Sequence, residues 1–195
     1  MKVSKIGFAL TASHCSFDKV YDEIQKLVDL GHEIVPIASE RVVTTDTRFK
    51  KAIEVVKKLE EITKKEVVST IVEAEKFGSI EPLDILVIAP ATGNTLSKLL
   101  HGHTDSAVIM AAKATLRNNS PVVIAFTTND GLGANGVNIM ELLNRKNIYL
   151  VPFGQDNFKA KPQSLSSHFD LIIPTIEEAL QGRQLQPVLQ EFKNE

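Results

Sequence analysis

The chain has 195 residues, of which 43% are hydrophobic, and 22 basic residues nearly balance 24 acidic ones for a formal charge of -2. That is enough apolar material for one sizeable core, and domain-size scaling favours a single domain over residues 1–195. The charge balance argues against nucleic-acid or anionic-membrane binding, which usually needs a basic excess. The single cysteine, Cys15, excludes an internal disulfide and any multi-cysteine metal centre, which fits a reducing, cytoplasmic setting.

The first apolar run, "VSKIGFAL" (3–10), reaches polar residues within one strand's length, too soon for a signal peptide or a membrane span. It predicts a strand, and "TASHCSF" after it leads into a helix. A second strand, "HEIVPIA" (32–38), precedes Ser39, Thr44 and Thr45. From Asp46 to about Lys64 the apolar Phe49, Ile53, Val56, Leu59 and Ile62 recur at helical spacing, so an amphipathic helix is expected there, capped by Asp46 or Thr47. Its charge run "KKLEEITKKE" reads as a solvated face. Further strands are predicted at "DILVIAP" (84–90), "PVVIAF" (121–126), "NIYLVPF" (147–153) and "FDLIIP" (169–174). The aperiodic stretch from Gly154 to Ser167 is long enough to suggest a functional loop. Strand–helix alternation predicts a three-layer α/β/α, Rossmann-like (flavodoxin-like) fold with a mostly parallel sheet.

In such sheets ligands bind outside the carboxyl ends of the strands. Three loops end there: one with Thr11, Ser13 and Ser16, one with Ser39, Thr44 and Thr45, and one with Thr92, Gly93, Asn94 and Thr95. None carries a dinucleotide or nucleoside-triphosphate fingerprint, so the chemistry left open is a single phosphate held by hydroxyls and helix-terminal N–H groups. The alternative is that Ser and Thr merely cap helices. For the first two loops that reading is at least as good; for the third it is weaker, because Gly93 permits close backbone approach and Asn94 brings both donor and acceptor. His14 suits acid–base work or a solvent-facing loop equally, and Cys15 reads as a small hydrophobe. His101 and His103 lack a third ligand nearby and read as a surface pair, so no metal is assigned.

The stretch "APATGNTLSKLLHGHTDS" resembles the Pro-Ala-Ser-Ala-Asn-Thr motif of the homo-oligomeric flavin-containing cysteine decarboxylases. The resemblance implies an FMN pocket formed between subunits of a trimer or trimer-based assembly. It carries over to Pro90, Ala91, Thr92, Gly93, Asn94, Thr95 and Asp105, with Gly in place of the second Ala. "FALTASHCSF" is similar to that family's first loop, bringing in Thr11 and Ser13, and Ser39 stands where a hydroxyl helps hold flavin phosphate. Two departures argue against cysteine decarboxylation. Ser79 precedes Ile80 where the decarboxylases have their catalytic His, and "TTNDGLGANGVNIMELL" retains Asn135 and Met140 without the Pro-x-Met-Asn motif.

Over nearly its whole length the chain resembles a branch of the same flavoprotein superfamily from spore-forming bacteria, the B subunits of dipicolinate synthase. The marks are "GFALTASHCSF", "IEPLDILVIAPATGNTLSKL", "NIYLVPFGQD" followed by "KPQSL", and "FDLIIPTIEEALQGRQLQPVL". That resemblance implies one of two subunits serving, in the mother-cell cytoplasm, the oxidation of a dihydrodipicolinate precursor to pyridine-2,6-dicarboxylate, with NADP on the A subunit. Asn94, Asn135, Lys159 and Lys161 are candidates to meet such a dicarboxylate, which needs charge-assisted donors once it leaves water. No catalytic residue is assigned. The alternatives are a self-sufficient FMN-dependent decarboxylase and a non-catalytic partner of the A subunit whose pocket has lost flavin.

Overall fold

The computed structural model describes residues 3–191. Its central sheet begins with β1 (Lys5–Leu10), β2 (Glu33–Ala38), β3 (Ile85–Ala91) and β4 (Val122–Thr128), in the spatial order β2-β1-β3-β4, all parallel. The short β5 (Ile148–Leu150) pairs in parallel with the first half of β4. Beyond it, β6 (Phe153–Gly154) and β7 (Leu165–Ser167) form an antiparallel extension, with β7 on the last two residues of β4.

The strands are apolar runs because both faces of the sheet are covered. Along β3, Leu86 and Ile88 enter one core, while Ile85, Val87 and Ala89 enter the other. The period-2 alternation of side chains thus assigns every residue to a layer. The first layer is built by α5 (Gly93–Leu100), α6 (Ala107–Arg117) and α7 (Gly136–Leu143), which follow α4 (Ile71–Glu75) in the chain. The second is built by α1 (Phe17–Asp29), α3 (Ala52–Thr63) and α8 (Ile172–Ala179), and the short α2 (Glu40–Thr44) contributes Val42. The result is the three-layer α/β/α arrangement with a mostly parallel sheet.

Three local expectations are corrected. "FDLIIP" is not a strand: Phe169–Leu171 form a 3-10 turn and Ile172 opens α8. A short apolar run does not distinguish a strand from a buried helix. Here Phe169, Ile172, Ile176 and Ala179 are buried at helical spacing, and Pro174 lies in the first turn, where its missing N–H costs nothing. The helix expected from Asp46 starts six residues later, at Ala52, because the Thr47 hydroxyl accepts the Phe49 and Lys50 N–H groups in a local turn. Asp46 still caps it from a distance, accepting the Ala52 N–H at 2.9 Å. The buried face is Ala52, Val55, Leu59 and Ile62, so Phe49 and Ile53 point outward. Finally, "NIYLVPF" splits into β5 and β6, and the aperiodic loop ends in the unanticipated strand β7.

Candidate functional site

The chain leaves β1 for β2 on one side and later returns to place β3 on β1's other side, so the order switches between β1 and β3. The crevice outside their carboxyl ends is where doubly wound sheets hold ligands. Both loops there are tied to each other. The Thr11 hydroxyl donates to the Pro90 carbonyl at 2.8 Å and accepts the Thr92 N–H at 3.0 Å, while the Thr11 N–H also reaches Pro90 O at 3.1 Å. Thr11 is 3% exposed. Its hydroxyl therefore fastens the β3–α5 turn and is not spread open toward a ligand. On the other side of β1, Ser39 donates its N–H to Leu10 O at 3.0 Å, bringing the end of β2 beside the same loop.

The start of α5 divides its roles among adjacent residues. Thr92 is the cap: its hydroxyl accepts the Thr95 N–H at 3.3 Å and lies 3.0 Å from the Thr95 hydroxyl, with Thr95 itself buried. Asn94 is exposed and makes no side-chain hydrogen bond within the described residues. The N–H groups of Gly93 and Asn94 have no acceptor inside the helix, as at any helix start. The helix dipole adds positive potential at that point. The capping alternative thus holds for Thr92 and fails for Asn94. It also fails where it looked strongest, since Ser13, Ser16 and Ser39 make no side-chain cap bond. Thr44 instead donates to the Glu40 carbonyl at the far end of α2.

Gly93 is small for a reason internal to the protein. A Cβ built there would lie 2.4 Å from Asn135 Nδ2 and 2.9 Å from the Thr128 hydroxyl, so the close approach is by neighbouring side chains. Asn135 is not an open amide either. Its Nδ2 donates to both carboxylate oxygens of Asp130 at 2.9 Å, and its Oδ1 accepts from Asn138 Nδ2 at 2.9 Å. Thr128 also donates its hydroxyl to Asp130. These donors, Thr128 first and Asn135 second, hold the Asp130 carboxyl below its ordinary value of 3.8. Because the folded value is the depressed one, the clamp's stabilisation is complete above the unfolded value and is lost as pH falls through the folded one. The melting-temperature gap between wild type and Asp130→Asn should therefore be widest near neutrality and narrow below about pH 4. A gap independent of pH would show that Asp130 is not ionised in this role. Residue type and spacing alone do not single out Asp130 and Thr128; the turn-rich "TTNDG" directly after β4 is the available signal.

The remaining candidates lie further out. Asp105 is paired with Lys98 at 2.5 Å, its side chain half exposed, and that pairing holds its carboxyl low. Lys159 and Lys161 are both exposed. The aperiodic loop folds back so that Gln163 O accepts the Leu132 N–H at 2.9 Å, and Lys161 lines an open recess of about 410 Å³ with Asn129, Pro162 and Gln163. Lys159 instead lies 6.0 Å from the Phe158 ring. The His14 ring packs at 4.8 Å on Phe17, its Nδ1 is buried without a partner, and burial lowers its pKa. Cys15 is exposed, contrary to the buried hydrophobe expected of it, with Ser13 and Ser16 oxygens about its sulfur. His101 and His103 are exposed, and the His101 Nδ1–H donates to Ser97 O at 2.8 Å. Among the described residues no three His, Cys, Asp or Glu side chains are grouped to hold a metal, and no helix is long and apolar enough to cross a membrane. Ser79 and Ile80 lie in an exposed turn ahead of β3, with no histidine in that segment.

The doubly wound sheet places the Thr-capped Gly-Asn helix start at its switch point, and residues 1–166 match the family described as Flavoprotein. The chain belongs to that family. Within it, the chain is 50% identical over 191 residues to the dipicolinate synthase B subunit of Bacillus subtilis (strain 168), covering 98% of this chain and 96% of that one. The crystal structure of the dipicolinate synthase B subunit from Bacillus halodurans C superposes with a TM-score of 0.89 at 49% identity over 96% of each chain. A PPC decarboxylase complexed with pantothenoylaminoethenethiol shares the fold at a TM-score of 0.63 and 15% identity, over 90% of this chain and 97% of that one.

Proposed function

We propose that this chain is the B subunit of a dipicolinate synthase and holds FMN at the β1–β3 switch point. The observation that carries the binding site is Asn94: an exposed amide without a protein partner, beside unsatisfied helix-terminal N–H groups, in a turn whose other polar side chains are already engaged. The Ser39 hydroxyl, likewise without a cap bond, and Ser13 would help hold an anionic group. Bound flavin would supply two-electron chemistry, and the protein's part is to orient it and exclude competing reactions. Asn94 would orient a polar edge of the ligand, and the α5 N-terminus would favour its negative charge.

The reaction served is oxidation of a dihydrodipicolinate precursor to the aromatic dicarboxylate, losing a hydride and a proton, with NADP on the partner A subunit as acceptor. Of the two loop lysines, Lys161 lines the recess past β4 and is the one we assign to a carboxylate. A trimer or trimer-based assembly in the mother-cell cytoplasm completes the reading. The missing histidine ahead of β3 weighs against the decarboxylase alternative.

Visible absorbance of the purified protein, followed by FMN titration, tests the site. Asn94→Ala should weaken FMN binding about fivefold, since one lost hydrogen bond is worth about 1 kcal/mol, with the melting temperature unchanged. A stability loss with unchanged affinity would defeat the assignment. Mixing this chain and the A subunit with precursor and NADP tests the activity. Turnover by the A subunit alone at the full rate would reduce this chain to a bystander, and carbon dioxide release from a cysteine-terminated substrate by this chain alone would favour the decarboxylase.

A further inference from the structure

We propose that Asp130 is the positioning residue of the candidate site: its carboxylate locks the Asn135 amide against Gly93 and thereby sets the first turn of α5. The ligand named in the test rests on the flavin reading; the mechanical coupling does not.

Asn135 occupies the N-cap of α7, the position where an Asn side chain ordinarily accepts a backbone N–H of the first turn. It makes no such bond. Its amide is turned instead toward Asp130 on the nitrogen side and Asn138 on the oxygen side. Flipping the amide would set Oδ1 against the carboxylate and two NH2 groups against each other, so the two partners fix one orientation. Asn138, 7% exposed, anchors the oxygen end from inside α7. Thr128, the last residue of β4, anchors Asp130 through its hydroxyl.

This fixed amide is the nearest group to the missing Cβ of Gly93, 2.4 Å from its ideal position, with Asn135 Cγ at 2.8 Å. Gly93 has no atom at that point, so the amide fills the space a Cβ would take and rests on the glycine backbone, and groups packed this closely move together or clash. Gly93 and Asn94 are the first two residues of α5, so the coordinates of the ligand-facing turn are referred to β4 through the chain Thr128, Asp130, Asn135, Gly93. A loss of Asp130 frees the amide to rotate and removes the rest against which the turn is set.

The full-length chain is tested as wild type, Asp130→Ala, Asp130→Asn and the exchanged pair Asp130→Asn with Asn135→Asp. Amide hydrogen exchange is read at residues 95 and 96 and FMN binding by flavin fluorescence. Asp130→Ala should speed exchange at Thr95 and Leu96, whose N–H groups are bonded to Thr92, and weaken FMN binding about tenfold. The exchanged pair restores a carboxylate–amide couple in reverse, with the new carboxylate at position 135 still accepting from Asn138, and should recover both readouts to within about twofold of wild type. Unchanged exchange at residues 95 and 96 in Asp130→Ala overturns the proposal. So does an exchanged pair that recovers exchange protection but not affinity, which would make the Asp130 charge itself a ligand contact. If Asp130→Ala does not fold, Asp130→Asn against the exchanged pair decides by the same two readouts. If wild type takes up no FMN, the flavin reading falls and the exchange pattern alone decides the coupling.

Discussion

Gly93→Ala is expected to destabilise the protein by about 1–3 kcal/mol, the usual cost of forcing a methyl group into packed space, and to abolish tight ligand binding at the α5 turn. The added Cβ falls 2.4 Å from Asn135 Nδ2, 2.8 Å from Asn135 Cγ and 2.9 Å from the Thr128 hydroxyl, all inside contact distance. A flexible surface side chain would swing away, but Asn135 is held on both ends by Asp130 and Asn138. Relief must come from shifting the α5 turn or breaking the clamp. Alanine's better helix propensity, worth at most about 1 kcal/mol in a helix interior and less at a first turn, does not offset this. Thermal melts of Gly93→Ala, Asn135→Ala and the double variant check the mechanism, because truncating Asn135 makes room for the methyl. The double variant should be clearly more stable than the sum of the two single losses. Simple additivity would place the cause elsewhere, and a Gly93→Ala protein as stable as wild type would remove the steric argument altogether.

Thr11→Val should cost about 1 kcal/mol, although valine fills the same volume and opens no cavity, because the part-buried Thr92 N–H loses its acceptor. The Pro90 carbonyl keeps the Thr11 N–H as a partner, but the Thr92 N–H is left with nothing to donate to. Thr11→Ser, which keeps the hydroxyl, should lose much less, so the comparison isolates the hydrogen bond from the methyl group. Both variants should be followed for FMN binding as well as melting temperature, since releasing the β3–α5 turn from β1 loosens the residues on either side of Asn94. A valine variant that melts with the serine variant would mean that the hydroxyl carries no weight in joining the two loops.

The layer architecture was readable because strand and helix runs are local and periodic. "DILVIAP" and "PVVIAF" are continuous apolar stretches of strand length, and a strand buried on both faces needs nothing more. The switch-point loops followed from that order, and Asn94 stood out as a residue richer in donors and acceptors than a turn requires. Where periodicity is short it misleads: "FDLIIP" satisfies strand and buried helix alike, and only the fit of Phe169, Ile172 and Ile176 against the second core decided for the helix. The apolar stripe beginning at Phe49 failed for a related reason. A local turn around Thr47 delayed the helix start and left Phe49 and Ile53 outside the buried face.

Which polar side chains remain available to a ligand was decided by tertiary structure alone. Thr11 and Pro90 are 79 residues apart, and no local pattern in either loop announces that one hydroxyl will be spent on the other. Asn135 looked like a ligand contact by type, yet its donor and acceptor are both used by Asp130 and Asn138, and the need for glycine at position 93 comes from that amide. The sequence by itself determined the long parallel strands β1 to β4 and the layered α/β class, and it named the strand-end loops, with their residue types, as the candidate site. Only the folded chain decided which of those groups is free, because a hydrogen-bonding side chain is spent on whatever partner three-dimensional packing brings within about 3 Å.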